Sequence, residues 1–176
     1  MKLREQILKE HTKANCTAIV KWVGDSQKRF DELFDLFTTD EYRVAQRAAW
    51  PLGFCVIDHP QLIKKNFARL LKNLNKPGIH DAVKRNTMRL LEKISIPEKF
   101  QGEIMNTCFE YICSPGEKAA VKAFSLTILE RLSKHYPEIL PEIKTIIEDR
   151  WDNETAAFRS RAKKIMKNLS PSRKAR

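Results

Sequence analysis

Basic side chains at a regular spacing are the residues of this chain whose types and positions could do chemistry. Lys84, Lys122 and Arg159 are 38 and 37 residues apart and occupy the same place in a recurring apolar pattern. A spaced row of cations can bind a phosphodiester backbone or an acidic peptide, through Coulomb attraction and the release of counterions. The chain contains 33 Lys and Arg residues, so an ordinary solvated surface is the alternative explanation for this row.

An aromatic residue beside arginines is the second candidate. Trp50 lies off the apolar pattern, close to Arg43 and Arg47. Such a side chain, if exposed, can stack on a nucleic-acid base or anchor a side chain of a partner, whereas packing between repeats is the alternative. The predicted binding surface for a partner protein or nucleic acid consists of Arg43, Arg47, Trp50, Lys84, Arg85, Arg89, Lys122, Arg159, Lys163 and Lys164.

The other residue types that carry chemistry form no recognisable site. The four histidines are 48, 21 and 55 residues apart, and the chain has no Cys-x-x-Cys, glycine-rich phosphate loop or nucleophile elbow. The four cysteines lie among apolar or small residues, which is typical of reduced core cysteines. We therefore predict no catalytic, cofactor-binding or metal-binding residue and no cofactor. An enzymatic activity is open but less favoured than a binding role.

The elements that must position these side chains are helices, because an apolar pattern of helical spacing recurs four times. It starts at Val44, Val83, Val121 and Phe158 and places one apolar stripe along each helix. A period just under forty residues predicts a stack of helical repeats. The prediction is an all-α chain of about nine helices, with an N-terminal helix near 3–23 and four hairpins at about 26–37/40–56, 60–74/79–95, 97–113/116–134 and 137–151/153–169.

The first repeat resembles a known family. The stretch YRVAQRAAWPLGF, from Tyr42 to Phe54, is similar to the second helix of a HEAT repeat, and the resemblance extends over roughly residues 26–169. It implies a right-handed α-α superhelix, or α-solenoid, and such stacks serve mostly as binding surfaces. Only this repeat keeps the Leu-Gly of the family pattern. Pro51 inside its helix predicts a bend near residues 47–51.

The charge and the composition bound the partners and the compartment. A net charge of +11 favours anionic partners, and residues 151–176 carry eight Lys or Arg against two acids. We expect a single domain over residues 1–169, followed by a flexible basic tail at 170–176. No apolar run is long enough to span a membrane, and the stretch Met1–Lys9 lacks a signal-peptide core. We therefore expect a cytoplasmic protein. We also expect it to be a monomer.

Three functions fit these observations. The favoured one is a non-enzymatic interaction module that binds a protein partner along its inner helix face. The alternative is a nucleic-acid-binding protein that uses Lys84, Lys122 and Arg159. The resemblance also admits a glycosylase, since HEAT-like enzymes that remove alkylated bases from DNA carry tryptophans and an aspartate beside the lesion. The second helices of the predicted hairpins, which would form the inner face, offer Trp50 but no mid-helix Asp, so the catalytic pattern is not matched.

Overall fold

The structure, a computed structural model, describes residues 1–39 and 41–169. Within those residues the chain forms helices, short 3-10 turns and loops but no β-strand. The predicted tail at 170–176 lies outside the described residues. The helices are α1 (Leu3–Lys9), α2 (Lys13–Val23), α3 (Gln27–Phe37), α4 (Tyr42–Asp58), α5 (Gln61–Lys64), α6 (Phe67–Leu74), α7 (Asp81–Leu91), α8 (Glu98–Cys113), α9 (Ala119–Leu132), α10 (Leu140–Arg150) and α11 (Ala156–Leu169).

The predicted N-terminal helix is two helices, because side chains cap the chain in its middle. The Thr12 hydroxyl accepts a hydrogen bond from the Asn15 backbone N–H at 3.2 Å and so caps the start of α2. The buried Asn15 amide donates to the carbonyls of Gln6 and Glu10, both at 2.8 Å, at the end of α1. These bonds satisfy backbone groups that a continuous helix would have paired internally.

The predicted helix at 60–74 is also divided, into α5 and α6. Asn66, at the break, is buried, and its side-chain amide donates to Asp31 Oδ1 on α3 at 2.6 Å. A helix break that depends on a hydrogen bond to a distant helix leaves no signal in the local sequence other than a polar residue. The two divisions raise the predicted nine helices to the eleven α-helices seen in residues 1–39 and 41–169.

The hairpins pair as predicted, and the all-α helical-repeat fold is confirmed. In each hairpin the second helix packs on the first, as α3 with α4, α6 with α7, α8 with α9, and α10 with α11. Second helices of neighbouring hairpins also pack, as α4 with α7 and α9 with α11. The chain comprises two compact units, divided after Ser95.

The apolar stripes predicted from the repeat form the cores of these units. The four anchors Val44, Val83, Val121 and Phe158 are all buried. The first unit adds a cluster of aromatic rings on α3, where Phe30, Phe34 and Phe37 are each almost fully buried. Full burial of such a side chain contributes about 1.5–3 kcal/mol to folding, before conformational entropy is subtracted.

Helix α4 continues through Pro51, from Tyr42 to Asp58. Pro51 is itself buried, and it has no backbone N–H to donate to the preceding turn of the helix. The bend predicted near residues 47–51 stays a prediction.

Candidate binding groove

A groove of about 430 Å³ lies in the first unit, between the packed helices α4 and α7. We call it the α4–α7 groove. This volume is in the range of sites that hold a small molecule or a few side chains of a partner. It is lined by His11, Gln46, Ala49, Trp50, Gly53, Phe54, Ile57, Arg85, Asn86, Arg89, Leu90 and Lys93.

One wall of the groove is an apolar stripe on α4. Trp50, Phe54 and Ile57 follow the i, i+4, i+7 spacing that puts side chains on one face of a helix. Phe54 is 45% exposed and Ile57 is 54% exposed, although both are large and apolar. The opposite face of α4 packs into the core through Ala48 and Leu52. Helix α4 is therefore apolar on two sides, and only one of them is covered.

The other wall carries cations. Arg85 and Arg89 are one helical turn apart on α7, and Lys93 follows just after the helix ends. Within the described part of the chain, neither guanidinium has a hydrogen-bond or ion-pair acceptor. Lys93 Nζ lies 3.5 Å from a carboxylate oxygen of Glu92. None of the described residues that line the groove is an Asp or a Glu, so the groove is basic.

The connection between α1 and α2 contributes one residue, His11, to the groove. The His11 ring, in the α1–α2 connection, lies 5.0 Å from the Trp50 ring, centroid to centroid, at an interplanar angle of 56°. One turn earlier on α4, Arg47 Nη1 donates to the Leu8 carbonyl at 2.7 Å. These contacts hold α4 against α1 and leave Trp50 half-buried, with one part of its ring facing the groove.

The sequence profile of the HEAT repeat domain family matches residues 3–169. The chain belongs to the HEAT repeat domain family. No curated protein and no solved structure matches it significantly. None of the helices described is long and apolar enough to cross a bilayer.

Three of the residues predicted to bind a partner meet in the groove of this HEAT repeat protein, namely Trp50, Arg85 and Arg89. Arg47 is engaged with the Leu8 carbonyl instead. Arg43 is exposed on α4 and Lys84 is half-buried on α7, and neither lines the groove.

In the second unit, the placement of Lys122 contradicts the prediction that it faces solvent or a groove. Lys122 is buried, and its Nζ lies 2.6 Å from Glu154 Oε1. Arg150 Nε lies 3.0 Å from the same oxygen. An ammonium group can be buried when a carboxylate is held against it. The row of Lys84, Lys122 and Arg159 therefore lacks its middle member as a binding group.

The other predicted cations of the second unit lie on α11. Arg159 is half-buried, and Lys164 is exposed. Lys163 Nζ lies 5.9 Å from the centre of the Trp151 ring, at the long end of the range for a cation–π contact. The predicted role of these three residues in partner or nucleic-acid binding stays a prediction.

Sequence reasoning missed Phe54, Ile57, His11 and Lys93. A signal for the first two was present, because they continue the i, i+4, i+7 series that begins at Trp50. The core-facing stripe of the same helix, however, places apolar residues at neighbouring positions, so the second stripe is hard to distinguish from it in the sequence. Nothing local marks His11, since it reaches Trp50 from a different helix connection.

Three of the four cysteines are buried, as expected for side chains that pack in a core. Burial raises the pKa of Cys55 and of Cys108 to about 12, and it also raises the pKa of Cys16. A thiol with a raised pKa is a poor nucleophile and a poor metal ligand. Cys113 is the exposed one. In the part of the chain that the structure describes, His, Cys, Asp and Glu form no group able to hold a metal ion.

Proposed function

We propose that this HEAT repeat chain is a non-enzymatic scaffold whose α4–α7 groove binds a segment of a protein partner. The observation that carries the proposal is the apolar stripe of α4 inside the groove, in which Phe54 and Ile57 are exposed and Trp50 is half-buried. A contiguous exposed apolar patch on a folded chain marks an interaction site more often than a scattered apolar residue does.

The residue types of the groove suit a protein interface. Trp and Arg are the side chains that dominate the binding energy of such interfaces when they lie near the centre. The groove places Trp50 beside Arg85 and Arg89. Burial of the Phe54 and Ile57 side chains against a partner would contribute about 25 cal/mol of binding free energy for each Å² of apolar surface removed from water.

The nucleic-acid alternative draws less support from the same residues. Binding to a phosphate backbone requires a row of cations open to solvent. Lys122 is buried against Glu154, and Arg47 donates to a backbone carbonyl. Two of the ten predicted contacts are thereby committed to the fold itself.

We further propose that the chain is a monomer and that it acts in the cytoplasm. The cytoplasmic location is consistent with its four free cysteines.

Site-specific photo-crosslinking tests the proposal. A benzoylphenylalanine placed at Phe54 or at Ile57 should yield a discrete adduct with a protein in cells that produce the chain. The same residue at Ala68, which is exposed on α6 and does not line the groove, is the matched control. We expect an adduct from the groove positions and none from Ala68.

The purified partner should then bind the wild-type chain. It should lose at least about tenfold in affinity, or about 1.4 kcal/mol, for the double variant Phe54→Ser/Ile57→Ser. Far-UV circular dichroism of this variant should match that of the wild type, because both side chains are exposed. Absence of adducts at both groove positions, or the same adducts at Ala68, would show that the groove is not the binding site.

A further inference from the structure

Resting on the proposed function, we infer that the occupant of the α4–α7 groove is an acidic amphipathic helix. Its apolar face packs on the stripe of α4, and its carboxylates face the cations of α7. Three features of the groove favour such an occupant: the helical spacing of its apolar stripe, the cations of the opposite wall and the absence of acidic residues among the groove lining described above.

The shape of the stripe matches a helix. Trp50 and Ile57, the two ends of the stripe, are seven positions apart on α4, which is about 10 Å along the axis at 1.5 Å per residue. Together with Phe54 they form one ridge along the helix surface, and side-chain ridges of this kind pack into the grooves of a second helix. A partner helix with apolar residues at i, i+3 or i+4, and i+7 presents matching side chains over two turns.

The positive charge of the α7 wall favours acidic residues beside the apolar face of the partner helix. Docking removes water from Arg85 and Arg89, and neither has an acceptor among the described residues. The desolvation of a guanidinium is compensated only when the partner brings an acceptor, and a carboxylate can accept two of its N–H groups. Lys93, in the turn that follows α7, adds a third cation to this wall. A partner with Glu or Asp along one edge of its apolar face meets this requirement.

The net charge of the chain acts in the same direction. At +11, it attracts an acidic partner at long range and repels a basic one. Attraction of this kind raises the association rate, and salt reduces it. Salt should reduce the apolar contribution much less, so part of the affinity should survive at physiological ionic strength.

Three stapled helical peptides provide the probes. They share the same leucine positions at i, i+4 and i+7, and the flanking residues are all Glu, all Gln or all Lys. Fluorescence anisotropy at about 150 mM salt, where the Debye length is about 8 Å, should rank the affinities Glu over Gln over Lys. We expect the Glu peptide to bind at least about tenfold more tightly than the Gln peptide.

Charge-matched variants locate the binding. Arg85→Glu/Arg89→Glu and Lys21→Glu/Lys28→Glu change the net charge equally, but Lys21 and Lys28 are exposed and do not line the groove. The groove variant should weaken the Glu peptide at least about tenfold and bring the Glu and Gln peptides to similar affinities. The control variant should stay within about threefold of the wild type. Equal losses in both variants would mean general attraction and would overturn the inference.

The outcomes separate this inference from the proposed function. If the Gln peptide binds as tightly as the Glu peptide, and Phe54→Ser/Ile57→Ser abolishes both, the groove binds protein without charge selection and only the inference falls. The inference alone also falls if crosslinks form at Ile57 but the Glu peptide does not compete with them. If single-stranded RNA or duplex DNA binds more tightly than the Glu peptide at this salt, and Arg85→Glu/Arg89→Glu abolishes it, both fall.

Discussion

At the scale of single residues, the buried cluster of Lys122, Glu154 and Arg150 shows how neighbours change the role of a charge. The side chains of Lys122 and Glu154 are only 5% and 4% exposed. Glu154 has two cationic partners, whereas the Lys122 ammonium is held by Glu154. Removal of the carboxylate therefore leaves a buried cation without compensation. Removal of the lysine leaves a carboxylate that is still paired with Arg150.

This asymmetry predicts the order of two substitutions. Glu154→Gln should lower the free energy of unfolding by about 3–5 kcal/mol, as expected when a buried pair loses one member. Lys122→Met should cost less, because Met keeps the apolar stem and Glu154 keeps Arg150. Urea unfolding followed by circular dichroism measures both.

The exposed ion pair of Lys144 and Glu148, with atoms 3.8 Å apart, supplies the matched control. Glu148→Gln should change stability by less than about 1 kcal/mol. A larger loss for Lys122→Met than for Glu154→Gln would show that the carboxylate is not the centre of the cluster.

At the scale of elements, Asp31 ties α3 to the α5–α6 segment. Its carboxylate accepts hydrogen bonds from Asn66 at 2.6 Å, from Gln27 at 2.8 Å and from Lys65 at 3.2 Å. Burial alone would raise the pKa of Asp31, but these bonds outweigh it and hold the pKa below its ordinary value. The charged form is therefore the one that stabilises the junction.

The lowered pKa predicts a pH dependence. The unfolded chain binds this proton at a higher pH than the folded chain does, so the stabilisation is present above about pH 4 and is lost as pH falls through the folded pKa. Asp31→Asn should cost about 1–3 kcal/mol at pH 7. The free energy of unfolding of this variant should also fall less steeply than that of the wild type below about pH 4. Urea unfolding from neutral to strongly acidic pH measures this dependence.

Asp35 on the same helix is the control for this experiment. Its carboxylate lies 2.7 Å from Arg69 Nη2, but both side chains are more than half exposed. Asp35→Asn should change stability by less than about 1 kcal/mol at pH 7. If Asp31→Asn keeps the full acid dependence of the wild type, another carboxylate is responsible for it.

At the scale of the whole molecule, the chain has two compact units, divided after Ser95, and we propose that they unfold as one domain. The three tryptophans allow this to be tested, because Trp22 and Trp50 belong to the first unit and Trp151 to the second. In the double variant Trp22→Phe/Trp50→Phe, fluorescence reports the second unit alone.

A core substitution in the first unit should then be detected by Trp151 in the second. Leu91 is fully buried on α7, and Leu91→Ala should cost about 2–5 kcal/mol. When Leu91→Ala is added to the double variant, the urea midpoint reported by Trp151 fluorescence should shift as much as the midpoint reported by circular dichroism. Ile57→Ala, at an exposed position, should shift neither by much. An unchanged Trp151 midpoint would mean two domains that unfold independently.

The amino-acid sequence by itself determined the helical repeats and the core of this protein. Apolar spacing at 3.6 residues per turn is a local property, so the spacing alone was enough to place the anchors Val44, Val83, Val121 and Phe158. Their burial was confirmed. The cationic face of α7 could be proposed in the same way, from the positions of Arg85 and Arg89 along one helix.

Only the tertiary structure decided which of these side chains are exposed. The burial of Lys122 depends on Glu154, which is 32 residues away, and the division of α5 from α6 depends on a bond from Asn66 to Asp31. The exposure of Phe54 and Ile57 depends on which face of α4 the other described helices leave uncovered. Each of these outcomes is set by segments far apart in the chain. A periodic pattern in one segment contains no information about which distant side chain meets it.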